Sequence, residues 1–350
     1  MAHYYFKKSL WEYKFKKLSH LILALKYYAQ IYFSIVRCKL IYPKSKVIGV
    51  LLAEHFGDIV AAEPIIPELL RKYPEAKIFW IIKPSFKAVL ENHPLIHQII
   101  EEKNLLTSIF LSRYNPFNLF YNLHLNQLRE DEYYHLPLKN ERADELNLTI
   151  HNYLHQNNLL EVFSQLADLG KMKGSPQIYL SKTKVSIPFK NQKYWVINHK
   201  SNNILKEWPK KNWVKIIDRA IREWDVNIIE LGINDALEYN HPHFVSMVGK
   251  TSLEESMKII KNASFFLGVD TGPTHCANAF KIPGLVVCGE FKNFNNYQVY
   301  SGAYQLDGIA NIYFNTKGPA SELSVEEVWE QLSTIYLKQQ DLELSTNHNL

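Results

Sequence analysis

The hydrophobic pattern changes period along the chain. Between Leu18 and Val36 the positions Leu18, Leu21, Ile22, Leu25, Ala29, Tyr32, Phe33 and Val36 follow the three-four spacing of one helical face. Ser19, Lys26, Gln30, Ser34 and Arg37 lie opposite, with Leu23 and Ile31 out of register. After Pro43 the pattern shifts to Lys46–Ala53, a short and almost wholly apolar run suited to a strand buried on both faces of a parallel sheet. The turn His55-Phe-Gly-Asp58 precedes a helical stretch through Arg71. A strand at Lys77–Ile82, a helix from Pro84 and a strand at Ile96–Ile100 come next. This alternation predicts a doubly wound α/β domain. Residues 113–160 show no clear period and read as the irregular, loop-bearing part of that domain.

Ser181–Lys193 is polar, basic and proline-bearing, as a linker is. The alternation then restarts with strand Tyr194–Asn198, helix Lys211–Trp224 and strand Val226–Leu231. Helix Ser252–Asn262, strand Ser264–Val269, helix Pro273–Phe280 and strand Gly284–Cys288 complete it. A last helix begins at Ser324, with Glu327 placed for a capping box, and a polar tail follows Gln340. The expected organisation is a basic amphipathic extension over 1–45, an acceptor-side domain over 46–185 and a nucleotide-sugar domain over 194–323. A terminal helix over 324–340 and a tail over 341–350 end the chain. Two such domains in tandem are expected to face each other across a cleft at the carboxyl ends of their sheets.

Composition narrows the class. The 350 residues are 47% hydrophobic and 21% charged, a soluble globular profile in which two domains are expected. Cys38, Cys276 and Cys288 are too few and too scattered for a disulfide framework, so a reducing, cytoplasmic setting is expected. The net charge is only +5, but Lys7, Lys8, Lys14, Lys16 and Lys17 crowd the N-terminus, with Lys26, Arg37, Lys39, Lys44 and Lys46 behind them. That imbalance points to a local anionic partner and not to a nucleic-acid-binding fold. The polar interruptions of Leu18–Val36, with no small-residue cleavage site after them, make a signal peptide and a spanning helix poor readings. Two readings of the extension stay open: a helix peripheral on an anionic membrane, or a helix packed on the first domain.

Two stretches carry chemistry. In Ala53-Glu-His-Phe-Gly-Asp58, Gly57 lets the backbone turn tightly after a buried strand. Asp58 serves there either as a helix N-cap or as a general base taking the proton of an attacking hydroxyl. Glu54 and His55 share the turn and are acceptor-side candidates with Gly57. In Asp270-Thr-Gly-Pro-Thr-His275 a strand ends and Pro273 takes a first helical position. Thr271, Gly272 and Thr274 are then set to offer amides and hydroxyls at a helix N-terminus, which favours phosphate, and His275 adds a donor.

These stretches, with Lys206-Glu-Trp-Pro209 between them, stand in the order and spacing of glycosyltransferase family 9, which includes the ADP-heptose:lipopolysaccharide heptosyltransferases. The chain resembles that family over residues 46–335, most weakly over 104–190, and the resemblance leaves out the N-terminal helix. It implies a GT-B fold of two Rossmann-like domains, with Asp58 as catalytic base and Lys206 at the donor phosphates. It also implies Asp270, Thr271, Gly272 and His275 in the donor turn and Thr251 at the nucleobase. Trp208 reads as packing. The chain departs from the family at Leu52, where a basic residue is usual, at Ala236, where a ribose-binding glutamate is usual, and at Gly289-Glu290. Asp235 and Glu238 are the alternatives for the ribose.

The resulting expectation is an inverting glycosyltransferase without metal or cofactor. It would move a sugar from a nucleotide diphosphate donor, ADP-heptose or similar, to a lipopolysaccharide or other surface-glycan acceptor. A nucleotide-sugar epimerase of the same architecture and a non-catalytic glycan-binding protein are the alternatives.

Overall fold

The computed structural model describes residues 2–155, 157–189, 191–292, 294 and 296–347. The side chains of 2–9, 343, 344, 346 and 347, Lys7 and Lys8 among them, lie outside the described residues. The elements run α1 (Ala2–Ile41), β1 (Val47–Leu51), α2 (Phe56–Ala62), α3 (Ile65–Lys72), β2 (Lys77–Ile82), β3 (Gln98–Glu101), α4 (Leu105–Arg113) and β4 (Leu119–Asn122). A hairpin of β5 (Gln127–Glu130) and β6 (His135–Leu138) follows, then α5 (Glu141–Glu145) and α6 (Leu159–Leu166). The remainder is β7 (Tyr194–Asn198), α7 (Lys210–Trp224), β8 (Asn227–Glu230), β9 (Phe244–Ser246), α8 (Leu253–Lys261), β10 (Phe265–Val269) and α9 (Gly272–Ala279). It closes with β11 (Gly284–Cys288), α10 (Ala303–Leu306), β12 (Ala310–Phe314) and α11 (Val325–Asn347).

The chain divides into two compact units. One holds residues up to Glu54, 65–152 and 165–170; the other holds 55–64, 153–164 and everything from Lys171. In the first unit a parallel sheet has the order β3-β2-β1-β4. In the second a six-stranded parallel sheet has the order β12-β11-β10-β7-β8-β9. Renumbered from β7, that is the 3-2-1-4-5-6 order of a dinucleotide-binding fold, whose ligand crevice opens where strands 1 and 4 diverge. Here those strands are β7 and β10. Their wholly buried sequences, Tyr-Trp-Val-Ile-Asn and Phe-Phe-Leu-Gly-Val, are what helices on both faces demand.

Several elements differ from the sequence expectation. Residues 113–160 are not irregular. They contain β4, the hairpin and α5, and α6 begins at their end; four-residue strands with half-exposed side chains are too short to show a period. The helix expected from Pro84 is a six-residue 3-10 turn, Pro84–Val89. The last helix continues to Asn347, because Asp341-Leu-Glu-Leu supplies helix formers where a tail is expected.

Helix α1 runs unbroken because neither glycine nor proline occurs before Pro43, which ends it. Ile31, Ile35 and Cys38 are buried in one cluster with Val47, Leu51, Phe79 and Leu111. His20 lies 3.4 Å from Asp131, Ser34 donates to Gln98 at 3.0 Å and Tyr134 donates to the Lys17 carbonyl at 2.9 Å. One face of the helix therefore belongs to the core of the first unit. Deleting residues 1–42 is expected to lower the melting temperature sharply or to cause aggregation. Each large apolar side chain withdrawn from that core costs about 1.5 to 3 kcal/mol. An unchanged melt of the truncated protein would refute this.

Candidate active site

The site is built at the switch point of the second unit. Asn198, at the end of β7, accepts from the Thr271 hydroxyl at 2.8 Å, and Thr271 begins the turn between β10 and α9. That bond ties the carboxyl ends of the two central strands together. The Thr274 hydroxyl donates back to the Val269 carbonyl at 2.6 Å, so it locks the turn and is not turned outward to a ligand. The Thr274 and His275 amides both bond the Thr271 carbonyl. Among the described residues the amides of Thr271 and Gly272 have no hydrogen-bond partner. They are the donors that the start of α9 leaves open.

Asp270 is buried and saturated with donors. Lys206 reaches one carboxylate oxygen at 2.7 Å, Tyr297 the same oxygen at 3.2 Å, and Tyr300 the other at 2.8 Å. Burial raises its carboxyl, but the Lys206 charge and these hydrogen bonds outweigh that, holding it below the usual carboxylate range. The Lys206 ammonium also stands 4.1 Å over the Phe291 ring, so its position is set from two sides. Lys206 lies in a short 3-10 turn, Ile204–Lys206, capped by Asn203. Trp208 beyond it packs at 4.9 Å against Trp213 and donates to the Leu323 carbonyl, as its reading as a packing residue requires.

Residues 55–64, which follow β1 in sequence, belong to the second unit, and α2 packs on α9. The approach is close enough to demand glycine on both sides. A Cβ on Gly57 would stand 2.6 Å from the His275 ring, and one on Gly272 would stand 2.0 Å from Phe56. Asp58 is thereby carried to the Lys206–Asp270 pair. It is the third residue of α2, not its N-cap: His55 caps the helix, and its backbone N–H donates to Asp58 at 3.3 Å. Burial raises the Asp58 carboxyl above its ordinary value. The neighbouring Asp270 charge adds to that rise, while His55 and Lys206 oppose it.

Aromatic side chains surround the cluster. Burial and the charges of Asp58 and Asp270 push the Tyr153 hydroxyl upward, so it stays protonated beside both carboxylates. His275 is buried against Tyr300, ring centroids 4.7 Å apart. Burial pushes its pKa down to about 4, so it is a neutral imidazole at neutral pH, and its Nδ1 has no partner among the described residues. Tyr153, Phe291, Tyr297 and Tyr300 carry no periodic or glycine-rich signal. The one sequence cue is the density of aromatics over 291–300.

The other expected residues lie apart from this group. Thr251 sits on the turn before α8 and shares a hydrogen bond with Ser256 at 2.8 Å. Among the described residues no bond ties it to Asp58, Lys206 or Asp270. Asp235 is held by Lys200 at 3.1 Å and Lys210 at 2.5 Å, beside a cavity of about 300 Å³ lined in part by His199, Glu207 and Trp208. Glu54 belongs to the first unit, where it pairs with Lys83 and with Arg129, the latter at 3.1 Å, and Arg129 also bonds Glu102 at 2.8 Å. That carboxylate is engaged in an ion network whose Arg129 and Glu102 are buried. Among the described residues no group of three or more His, Cys, Asp or Glu is placed to hold a metal ion.

Comparison with known proteins bears on the fold that carries this site. The model of glycosyltransferase family 9 (heptosyltransferase) matches residues 144–292. The chain is 23% identical over 301 residues to lipopolysaccharide heptosyltransferase 1 of Campylobacter coli, covering 71% of this chain and 85% of that protein. Its fold is similar to that of a family 9 glycosyltransferase from Veillonella parvula, with TM-score 0.61 at 17% identity over 84% of this chain and 97% of the other. It is also similar to the E. coli heptosyltransferase WaaC solved with ADP, with TM-score 0.54 at 14% identity over 81% and 98%. With two parallel α/β units of the GT-B type and these relatives, the chain is a family 9-like, heptosyltransferase-like glycosyltransferase.

Proposed function

We propose that the chain transfers a sugar, heptose in the first instance, from an ADP-type nucleotide diphosphate donor to a hydroxyl of a surface glycan such as lipopolysaccharide. Transfer proceeds with inversion and without a divalent cation. The observation that carries this reading is the meeting of a carboxyl raised by burial, Asp58, with a lysine and an open helix N-terminus in one unit. Asp58 takes the proton of the acceptor hydroxyl as that oxygen attacks the anomeric carbon opposite the leaving diphosphate. Lys206 and the amides of Thr271 and Gly272 receive the charge that develops on the diphosphate. These groups are fixed before the reaction, so little reorganisation is needed. Neutral His275 adds a hydrogen bond without adding charge. Asp270 acts here through Lys206, which it holds in place, while Thr251 lines the nucleobase pocket. His55 and Gly57 form the acceptor side of the turn. The donor preference is supported by the ADP bound to the E. coli relative, and a cytoplasmic setting by three buried free cysteines.

The test begins with the donor. Lys206→Ala is expected to weaken ADP binding in calorimetric titration by about 10- to 100-fold, the share of one charge-assisted hydrogen bond. Transfer or slow hydrolysis of ADP-heptose by the wild type is expected to persist in chelator. Unaltered ADP affinity in Lys206→Ala, or inactivation by chelator reversed by added metal, would contradict the proposal.

A further inference from the structure

Helix α1 has two apolar faces, and only one is used by the fold. The packed face carries Ala24, Ile31, Ile35 and Cys38, all buried. On the far side Trp11, Phe15, Leu18, Ile22, Leu25, Tyr32, Phe33 and Leu40 are exposed, Phe15 and Phe33 by 72% and 70%. At about 100° per residue these positions fall in one stripe about 100° wide, its centre about 140° round the helix from that of the packed face. The stripe runs from Trp11 to Leu40, about 44 Å at 1.5 Å per residue. A continuous apolar strip of that length on a protein surface marks a docking site.

We propose that this outer stripe docks onto an anionic lipid bilayer, with α1 lying in the membrane surface and the first unit seated on it. Charge selects this occupant. The helix contains eight Lys and Arg residues and a single acid, Glu12. By the same helical count Lys14 and Lys39 flank the stripe on one side and Lys26 and Arg37 on the other. That is the arrangement of an interfacial helix, with apolar side chains below the headgroups and cations level with their phosphates. A second copy of the chain pairing through the same stripe would bring these like charges together along its length, which opposes pairing. No helix among the described residues is long and apolar enough to cross a membrane, so the helix lies on the surface. The packed face explains how the enzyme is held there: the anchor is part of the first unit's core, not a tether.

The inference is tested by sedimenting the full chain with vesicles of phosphatidylcholine alone or of phosphatidylcholine with phosphatidylglycerol. The wild type is expected to bind the anionic vesicles, to ignore the neutral ones and to dissociate as salt rises. Phe15→Ser, Ile22→Ser and Phe33→Ser combined, all on the exposed face, are expected to weaken that partitioning about tenfold or more while the melting temperature holds. Lys14→Glu, Lys26→Glu and Arg37→Glu combined should abolish the preference for anionic lipid. If the triple serine variant melts early, Trp11→Ser with Phe15→Ser gives the same reading, since both precede Ala24, the first buried residue of the helix among those described. A wild type that ignores anionic vesicles, or a serine variant that sediments as well as wild type, would overturn the inference. A concentration-dependent dimer lost in the serine variant, without vesicle binding, would assign the stripe to a second copy instead.

Discussion

Asp58→Asn is expected to lower kcat by about 10²- to 10⁴-fold, the share that general-base catalysis contributes. Asparagine is nearly the same size, and its amide oxygen can still accept the His55 N–H at the start of α2. The helix and its contact with α9 therefore survive, and ADP binding and the melting temperature should stay close to wild type. Only the basicity is removed. The pH profile separates this from a structural effect. Burial and the Asp270 charge raise the Asp58 carboxyl, so the acid limb of kcat/KM should lie above the ordinary carboxylate range, and the variant's residual activity should lack it. Full turnover in Asp58→Asn would leave the residue as a helix-terminus carboxylate and nothing more.

Acid should destabilise the second unit well before most carboxylates titrate. His199 and His275 are both buried, and burial pushes each down to about 4. In the unfolded chain both titrate at the ordinary histidine value, so as pH falls the unfolded state takes up protons that the folded state refuses. Their contribution is fully present above pH about 6.5 and is lost as pH falls towards about 4. Each accounts for on the order of 3 kcal/mol over that window. Asp58 works in the opposite sense: its raised carboxyl favours the folded state at low pH, and that contribution fades as pH rises, so it offsets part of the loss. Melting temperatures followed from pH about 7 down to about 4.5 should fall steadily, and His199→Gln should flatten the slope. A flat profile in the wild type would show that these imidazoles are hydrated and not buried as described.

Alternation of apolar strands with helical segments marked out most of both α/β halves, because strands covered on both faces must be continuously apolar. The turn at Asp270 to His275 was legible for a related reason: proline and glycine have narrow uses at a strand-to-helix junction. The stretch 113–160 was not legible, since β4, β5 and β6 are four residues long and half exposed. Burial at such edges is decided by neighbours that the local pattern does not contain.

The same division holds within the site. Asp58, Asp270, Thr271, Gly272 and His275 could be singled out along the chain because backbone geometry restricts which residues stand at those turns, and Lys206 because its motif resembles one of glycosyltransferase family 9. Their partnerships could not. Tertiary structure alone decides that Asp270 is clamped by Tyr297, Tyr300 and Lys206, that Thr274 turns its hydroxyl inward, and that Glu54 is spent on Lys83 and Arg129. It also decides which of the two apolar faces of α1 is covered. A sequence determines the period of a helix and the charges along it, but burial belongs to whatever packs there, and Ile31, Ile35 and Cys38 are in the core because β1 and β2 pass beneath them.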